Sequence, residues 1–599
     1  MVAERGWRWL MVATGVFIGC GGRSGLSMTS EPTGAAGHSG ASGTNALPWG
    51  VSGLSNGGAG SAHGAGAPAA GTAGLVHGSG GMAAGSGVAG DSPASAGLGG
   101  HAGLGGAAAA AGSAGLAGSA GGAIDHAGWY VDPVHGSDRS SGNFDAPFKT
   151  LERAASVAIS GDTVWLFDGT YDPSTERQFA EWPGHDCGMG EGVRFVADVR
   201  LKALNSGRPR LSIAGRHGLC LSGGEVQGLQ LECLRADGHA VEVTSGIEGI
   251  VDSTFRNCGS TTLSTSENEA ALDVSGDALV QLTAEDTSDY SGYPNYTFAA
   301  VRDNATLTVY GGTVSALHRA FVVRDSATLS LQGVRLLGQD PAQHADQAIQ
   351  VLDGKPTVIL SNGTIENFGS AIRVQSPSAR LSIDRSTVKD SFFGLLAQRA
   401  QKSSLQVEIT TSHFESLDVA LFLYPFAGAV SLSLSDSDFK AVARPLMAML
   451  GGTLSLSDVT VRGCDFGAVI AAYTDSAPLD VSLRRVSVTG CRRGGLSLAG
   501  NASSIFDLGT SASAGGNVVR DNQRDATSAH GNLAFVSPAP ILISAIGNTW
   551  DPNTQGTDEN GQCSVDGGGE PLDLTSASGL NFVSGTDNQA ILRLAEGAP

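Results

Sequence analysis

The segment LTVYGGTVSALHRAFVVRDSATLSLQGVRL occupies residues 307–336 and holds one full repeat of the pattern that decides the fold. LTVY and GGTV alternate apolar and polar residues around a glycine pair, and AFVVRDSATL from Ala320 adds a third alternating run. At Leu329 the pattern starts again with LSLQGVRL. A period of two residues indicates β-strands rather than helices, so each repeat is predicted to contain three short strands separated by turns.

The same repeat continues along the middle of the chain. One circuit of three strands in about 25 residues predicts an all-β fold, a single-stranded right-handed parallel β-helix whose inward Leu, Val, Ile and Phe side chains form one core. Asn257, Asn367 and Asp390 follow the second strand, where short polar side chains suit a tight turn. Matching first strands, 22 to 29 residues apart, begin at Leu307, Leu329, Val358, Leu381, Val407, Leu432, Leu454 and Val481.

A helix-like run precedes the strands. APFKTLERAASVAISGDTVWLFDGTY covers residues 146–171, with Leu151, Ala154, Ala155 and Ala158 on one side of the predicted helix. An open β-helix end exposes strand edges and core side chains to water. We therefore expect this helix to cap the N-terminal end, and GDTVWLFDGTY to supply the first strand.

The segment from Trp129 to Tyr171 resembles the opening of a domain-of-unknown-function family found at the N-terminus of secreted right-handed parallel β-helix (pectin-lyase-like) proteins. The matching motifs are VDP (131–133), GSD (136–138), APFKT (146–150) and GDTV (161–164). GNTWDPNTQGTDENGQ (547–562) is similar to the way such chains finish. The resemblance implies the fold, and together with the repeat it predicts a β-helix domain over 127–599, with the N-terminal cap and first strand at 127–172, coils at 173–545 and a C-terminal cap at 546–599. It also implies export, but no single activity.

The first 126 residues are predicted to lie outside this fold. Arg5 and Arg8 precede a short apolar run that ends in Phe17-Ile18-Gly19-Cys20, which resembles a bacterial lipoprotein signal (1–20) with lipid attachment at Cys20. Ordinary secretion is the alternative. Residues 21–126 are mostly Gly, Ala and Ser, a composition typical of a disordered tether. These features predict a lipid anchor at the bacterial outer membrane or cell surface, or else a secreted protein.

The folded part is acidic. The net charge is −21 at pH 7; the signal contributes +1 and the tether −2, which leaves −20 for residues 127–599. This charge argues against nucleic acid as a partner, and against an acidic polymer unless a metal ion or a basic patch intervenes. Arg484, Arg485, Arg492 and Arg493 form such a basic spot, for sulfate or uronate, or simply a solvated face.

Two cysteine pairs fall one predicted coil apart: Cys233 with Cys258, and Cys464 with Cys491. Neighbouring coils are about 4.8 Å apart, which is within the Cα range of a disulfide. Export permits disulfides, and stacked free thiols are the alternative. The eight cysteines include no CxxC, which argues against a zinc site.

Stacked carboxylates provide two candidate sites. Asp303, Asp325 and Asp353 fall at the end of the third strand and would favour a bound Ca²⁺ as cofactor, or form a salt-linked turn ladder with Arg302 and Arg324. Asp436 and Asp458 would stack about 5 Å apart, as in retaining glycoside hydrolysis. That separation is shared by any stacked pair in a β-helix, so a structural role is the alternative.

The candidate ligand-binding aromatics are Tyr290, Tyr293 and Tyr296, in a long loop where their rings could stack on sugars or pack on the coil. β-helix polysaccharide enzymes work in a groove on the outer face, but the sequence runs typical of such hydrolases and pectate lyases are absent. We therefore expect a surface module that binds glycan or extracellular matrix, adhesin-like, without catalysis. A polysaccharide lyase or glycoside hydrolase, and a structural envelope protein, are the alternatives. The oligomeric state is left open.

Overall fold

The computed structural model describes residues 128–180, 192–235, 239–259, 270–283, 295–339, 341, 346–399, 404–425, 429–472, 478–500, 503–510, 512–522, 533–536, 542–544, 547–550 and 593–594. The predicted signal peptide and tether, and most of the predicted C-terminal cap, lie outside these residues. The fold is a right-handed parallel β-helix, as predicted, with almost no helix. In the described part of the chain, no helix is long and apolar enough to cross a membrane.

Sheet 1 holds the first strand of each coil and confirms the predicted register. Leu307, Leu329, Val358, Leu381, Val407, Leu432, Leu454 and Val481 are all paired in one column. The strands are Trp129–Val131, Thr163–Leu166, Val199–Ala203, Gly224–Gln227, Ile247–Val251, Leu279–Thr283, Thr306–Tyr310, Thr328–Gln332, Thr357–Ser361, Arg380–Asp384, Ser404–Thr410, Ala429–Ser435, the second half of Arg444–Ser457, Leu479–Arg484, Ile505–Asp507, Leu542–Ser544 and Arg593–Leu594.

Sheet 2 holds the short second strands and is built in two stretches along the coil axis. The first stretch comprises Thr170–Tyr171, Arg210–Ile213, Gln230–Cys233 and Thr254–Arg256. The second comprises the start of Thr313–Asp325, then Arg335–Leu337, Thr364–Glu366, Thr387–Lys389, His413–Glu415, Asp438–Lys440, Thr460–Arg462, Ser487–Thr489, Val518–Arg520 and Thr549–Trp550.

Sheet 3 holds the third strands, and its inward residues complete the core. Its strands are Val193–Phe195, His217–Leu221, His239–Val243, Leu272–Val274, Asn295–Val301, the end of Thr313–Asp325, Gln347–Gly354, Ser370–Val374, Phe393–Arg399, Val419–Pro425, the start of Arg444–Ser457, Ala468–Ala472, Leu496–Ala499 and Leu533–Val536. Thr313–Asp325 and Arg444–Ser457 each run without a break from one sheet into another.

Residues with left-handed backbone turn the chain between the sheets. Asn257, Asn367 and Asp390, predicted at the turn after the second strand, have φ values of 56°, 64° and 48°. Asn and Asp tolerate this region better than other non-glycine residues, which explains their selection. A second left-handed column separates sheet 1 from sheet 2 and contains Asp252, Gly311, Gly333, Asn362, Arg385, Thr411, Asp436, Asp458, Arg485 and Gly516.

Buried hydroxyls next to this second column satisfy backbone groups from coil to coil. Ser412 Oγ donates to the carbonyl of Thr410 at 2.7 Å and accepts from Ser386 N at 3.2 Å. Ser437 repeats both bonds one coil further, and Asn517 replaces serine near the C-terminal end. Because a buried unpaired amide costs about 1–3 kcal/mol, this column stabilises every coil that it joins.

The N-terminal end is built differently from the prediction in one respect. The helix forms at Leu151–Val157 with Thr150 as its N-cap; Leu151 and Ala154 are buried, and Ala155 and Ala158 pack on the core. However, the first strand is Trp129–Val131, which pairs in parallel with Thr163–Leu166, so the expectation that the latter opens the sheet is wrong. The segment 142–148 bonds the edge of that first strand, and a short 3₁₀-helix follows at Arg177–Phe179.

One core position holds an acid. Glu248 lies two residues before Ile250 on strand Ile247–Val251, so its side chain points to the same, inward side of the strand. It is in register with Gly224 and Val280 on the neighbouring coils and is 0 % exposed. Neither carboxyl oxygen has a hydrogen-bond partner. Burial, with the nearby charges of Glu225 and Asp198, raises the pKa of Glu248 to about 9, so the side chain is uncharged at neutral pH.

Both cysteine pairs are disulfides in the structure, with Cα atoms 5.0 Å apart for Cys233–Cys258 and 4.3 Å for Cys464–Cys491. The coil spacing that stacks the paired cysteines therefore also permits a disulfide between them. Of the two alternatives, disulfides and stacked free thiols, the structure shows disulfides. Each bond joins one coil to the next across 25 or 27 residues.

The double substitution Cys464→Ala/Cys491→Ala is expected to lower the free energy of unfolding by about 3–4 kcal/mol, because it removes a cross-link that restricts the unfolded chain. Urea denaturation monitored by hydrogen exchange in neighbouring coils measures the change. The double variant at Cys233 and Cys258 is the matched control and should lose a similar amount in its own coils. A loss below about 1 kcal/mol at both pairs would contradict the expectation.

Candidate functional site

The outer face of sheet 3 carries the polar and charged side chains that have no role in the core. Third strands read as an outward residue, a small residue, an apolar residue, an outward residue and an apolar residue. Examples are HAVEV (239–243), RAFVV (319–323), QAIQV (347–351), SAIRV (370–374) and VALFL (419–423). The second, third and fifth residues of these segments belong to the main core. The first and fourth therefore lie on the opposite side of the sheet.

These outward residues are unusually well buried. On sheet 1, outward residues such as Ser431, Ser433 and Gln406 are exposed, as is normal for the solvent face of a sheet. On sheet 3, Asp273 is 2 %, Ser370 1 % and Gln350 9 % exposed. Polar groups removed from water in this way need partners, and they are a common mark of a binding or catalytic site.

Two histidines and a glutamate lie at the N-terminal end of this face. His217 and His239 are paired in register, and their rings stack with centroids 5.4 Å apart. His217 Nδ1 lies 3.1 Å from a carboxylate oxygen of Glu242 and donates to it. Although burial raises the pKa of Glu242, this bond and the charge of His217 outweigh it, so the pKa is lowered and Glu242 is ionised.

His239 is held in one tautomer. Its Nδ1 lies 2.8 Å from the carbonyl oxygen of Ala270, which can only accept, so this nitrogen carries the proton. Burial lowers the pKa of His239 and keeps the ring neutral. The lone pair of Nε2 is then available as a base.

A buried carboxylate–guanidinium pair adjoins the histidines. Arg302 reaches back one coil to Asp273, with Nη2–Oδ2 at 2.8 Å and Nε–Oδ1 at 3.3 Å. Burial raises the pKa of Asp273, and the bonds from Arg302 oppose that shift. We call His217, His239, Glu242, Asp273 and Arg302 the acid–base cluster. It combines a neutral imidazole that can act as a base with an ionised carboxylate and a fixed cation.

The centre of the face carries amide, hydroxyl and guanidinium side chains. Gln350 Nε2 donates to Gln375 Oε1 at 2.9 Å, and Gln350 pairs in register with Arg373 on the next coil. Ser370 pairs with Gln347 in the same way. We call Gln347, Gln350, Ser370, Arg373 and Gln375 the amide row. His318 and Asp346 form a separate pair nearby, with Nδ1–Oδ1 at 3.2 Å.

The C-terminal part of the face is apolar. Leu396, Val419 and Phe422 form a small cluster separate from the main core, against which Phe393, Tyr424 and Met447 pack. The Phe422 and Tyr424 rings are nearly parallel at 6.2 Å, and Phe393 lies 6.0 Å from Phe422. We call these six residues the apolar patch. Phe393 and Tyr424 are half-buried rather than fully covered.

The predicted calcium column does not align as expected. Asp303 and Asp325 occupy equivalent left-handed turns, but a register shift pairs Asp325 with Gly354, so the placement of Asp353 in the same column is wrong. Asp325 accepts from Asp303 N at 3.3 Å and from Arg324 Nε at 3.1 Å. Asp303 accepts from Gly276 N at 2.9 Å. These bonds make a turn ladder. The described residues include no group of three or more acidic, histidine or cysteine side chains placed to hold a metal ion.

The predicted acidic pair lies at the turn between sheets 1 and 2. Asp436 and Asp458 have left-handed backbone, with φ values of 49° and 56°. Both carboxylate oxygens of Asp458 accept from Arg485, and this bond lowers the pKa of Asp458. Arg484 pairs with Asp507 at 2.6 Å, so acids offset much of the predicted basic spot. Turn geometry and charge balance therefore explain why Asp436, Asp458 and the arginines occur at these positions.

Of the other predicted residues, Cys20, Tyr290 and Tyr293 lie outside the described residues. Tyr296 belongs to strand Asn295–Val301, with its backbone alone described. The residues of the outer face of sheet 3 were not predicted as site residues. Their signal is the outward pair in each third strand, where His, Glu, Gln and Arg replace the Ser and Thr of the first strands.

Solved structures with similar folds include polysaccharide enzymes. The catalytic unit of a thermostable GH87 α-1,3-glucanase from Streptomyces thermodiastaticus strain HF3-3 is 13% identical, with a TM-score of 0.25; the match covers 64% of this chain and 65% of the glucanase unit. A mannuronic acid specific polysaccharide family 6 lyase from human gut microbiota is 11% identical, with a TM-score of 0.23 and coverage of 65% and 82%. A rhamnogalacturonan lyase is 12% identical, with a TM-score of 0.16 and coverage of 72% and 88%.

These likenesses concern the fold alone. Among curated proteins none matches the sequence. Residues 134–182 match the family described as "Protein of unknown function (DUF1565)". This segment contains the capping helix and the strand Thr163–Leu166 that follows it.

Proposed function

We propose that the protein is an exported module that holds a polysaccharide along the outer face of sheet 3. The observation that carries this proposal is the set of buried polar side chains on that face, next to half-buried aromatic rings. Amides, hydroxyls and guanidinium groups bond sugar hydroxyls, and aromatic rings pack against the apolar faces of sugar rings. Coils repeat about every 4.8 Å, so the face presents similar groups at regular intervals to a linear polymer.

For the setting of the module, we propose the anchor and tether that the sequence predicts. A lipid on Cys20, followed by the predicted tether, would display the β-helix at the outer membrane or cell surface. Display suits a protein that binds a polymer outside the cell. Without the lipid, the same module would act as a secreted binding protein.

A glycan array with the full chain tests the proposal. We expect retention of at least one polysaccharide, and at least a tenfold weaker retention by Tyr424→Ala and Phe393→Ala, because each removes a ring from the apolar patch. Tyr310→Ala is the matched control, since Tyr310 is an exposed aromatic on the outer face of sheet 1. An equal loss in all three variants, or no retained glycan, would contradict the proposal.

Catalysis on the bound polysaccharide is the second candidate, favoured by the acid–base cluster. Hydrolysis and β-elimination both need a base and an acid beside the glycosidic bond. His239 Nε2 offers the base, and Arg302 offers a cation to stabilise developing negative charge. A reducing-end assay separates the candidates. Release of sugar ends that His239→Gln abolishes without loss of retention favours catalysis, and retention without release favours binding alone.

A further inference from the structure

Gln350, Ser370 and Arg373 of the amide row each carry a buried polar atom without a hydrogen-bond partner. These atoms are Gln350 Oε1, Ser370 Oγ and Arg373 Nε. Gln350 and Arg373 are register neighbours on adjacent coils, and Ser370 lies three residues before Arg373 on the same strand. The three residues therefore lie on two adjacent strands of the outer face of sheet 3.

Such atoms are costly in a folded protein. Each buried polar group without a partner destabilises the fold, and a charged group does so more strongly. Native structures hold few of them, so a cluster of three points to a partner that the chain itself does not supply.

Arg373 differs from the arginines of the domain that pair with acids. Arg302, Arg444 and Arg484 each form an ion pair, with Asp273, Asp418 and Asp507. Within the described residues, the Arg373 side chain has neither an ion pair nor a hydrogen bond. Burial lowers the pKa of Arg373, and no neighbouring acid opposes the shift. In a domain with a charge of −20, Arg373 therefore combines a buried guanidinium nitrogen with the absence of an acidic partner.

The chemistry of the three atoms defines the missing partner. The guanidinium group and the Ser370 hydroxyl donate, so they need an acceptor, and an oxyanion satisfies the positive charge as well. Gln350 Oε1 accepts, so it needs a donor such as a hydroxyl. A sugar unit that bears an acidic group beside its hydroxyls supplies both.

We propose that Gln350, Ser370 and Arg373 form a subsite for an acidic sugar unit, in which a carboxylate or sulfate binds Arg373 and Ser370 while a hydroxyl donates to Gln350. This inference rests on the proposed polysaccharide-binding function and names its ligand class. The subsite lies between the acid–base cluster and the apolar patch. A neutral glycan would leave Arg373 without a partner, so the subsite also selects against neutral polymers.

Binding of four probes to the full chain tests the subsite. Polygalacturonate carries carboxylates and its methyl ester does not, while dextran sulfate carries sulfates and dextran does not. We expect one of the two anionic probes to bind at least tenfold more tightly than its neutral form. The probe that binds identifies the acidic group as carboxylate or sulfate.

Arg373→Gln is expected to remove this preference, with at least tenfold weaker binding of the anionic probe. Arg380→Gln is the matched control, because it removes the same charge from an exposed position on strand Arg380–Asp384. This variant should bind the anionic probe within twofold of the original chain. Ser370→Ala, a smaller change at a buried position, should weaken the anionic probe by several-fold. Without a probe, Arg373→Gln should melt at the same or a higher temperature, because the substitution removes a desolvated charge.

The outcomes separate this inference from the proposed function. Equal binding of an anionic probe by Arg373→Gln and the original chain would overturn the subsite. Retention of neutral polysaccharide alone would also overturn it, while leaving the polysaccharide-binding function in place. A chain that retains no polysaccharide would overturn both.

Discussion

Replacing Glu248 by methionine is expected to stabilise the N-terminal coils by about 3–5 kcal/mol at pH 8. Glu248 is 0 % exposed, and neither of its carboxyl oxygens has a hydrogen-bond partner. Methionine has a similar length and no group that must leave water, and its flexibility suits the space between Gly224 and Val280. The substitution therefore replaces a buried acid by a side chain that the core accepts.

The gain depends on pH in a defined direction. The unfolded Glu248 ionises near 4.5, whereas the folded side chain has its pKa raised to about 9. Below pH 4.5 both states are protonated, and the acid form contributes no pH-dependent penalty. As the pH rises from 4.5 towards 9, the unfolded state alone gains from ionisation, so the original chain loses stability across this window. Glu248→Met and Glu248→Gln should both lack this loss.

Hydrogen exchange during urea denaturation measures the effect coil by coil. Because a β-helix is stabilised by contacts between neighbouring coils, the gain should appear in residues 193–283 and leave residues 404–484 unchanged. Glu408→Gln is the matched control, since Glu408 is exposed on the outer face of sheet 1. A Glu248→Met chain whose stability falls with pH as steeply as the original would show that this carboxyl is not the cause.

Arg302→Met is expected to lower the free energy of unfolding by about 3–5 kcal/mol, because it leaves the carboxylate of Asp273 buried without its cation. Asp273 is 2 % exposed and accepts two hydrogen bonds from the guanidinium group. The loss should be smaller at pH 5 than at pH 8. Burial already raises the pKa of Asp273, and without Arg302 the carboxyl can be protonated more easily as the pH falls.

Two comparisons make this prediction specific. The double variant Arg302→Met/Asp273→Leu removes both charges and should recover most of the lost stability. Arg324→Met changes the equivalent arginine one coil further. Both side chains of the Arg324–Asp325 pair are more than one third exposed, so this substitution should lower the free energy of unfolding by about 1 kcal/mol or less. Urea denaturation of the four chains measures the differences. Equal losses of unfolding free energy in Arg302→Met and Arg324→Met would contradict the conclusion that Arg302 and Asp273 form a buried charge pair.

Much of the fold could be predicted because a β-helix repeats its own local pattern. Each first strand has an alternating segment and each second strand ends at a turn residue, so Leu307 and Val481 could be placed in one column seven coils apart. The same columns placed Cys464 next to Cys491. The first strand was misplaced because Trp129–Val131 is three residues long and carries no repeat signal. The misalignment of Asp353 has a similar origin, since one extra residue shifts the register at Gly354.

The site depended on information that a linear pattern does not carry. In sequence, Asp436 and Asp458 resemble a catalytic pair as closely as Asp273 and Glu242 do. The difference lies in burial, because Asp458 is half-exposed and held by Arg485, whereas Asp273 is closed off beside two histidines. Burial depends on how loops and neighbouring coils cover a surface.

The sequence by itself therefore determined the β-helix, its register and the stacking of its cysteines, because each of these follows from a local period repeated along the chain. The tertiary structure alone decided which outward side chains are removed from water, and so which of them require a partner. His239, Asp273 and Arg373 lie on different coils, and their desolvation results from packing between residues that are far apart in the sequence.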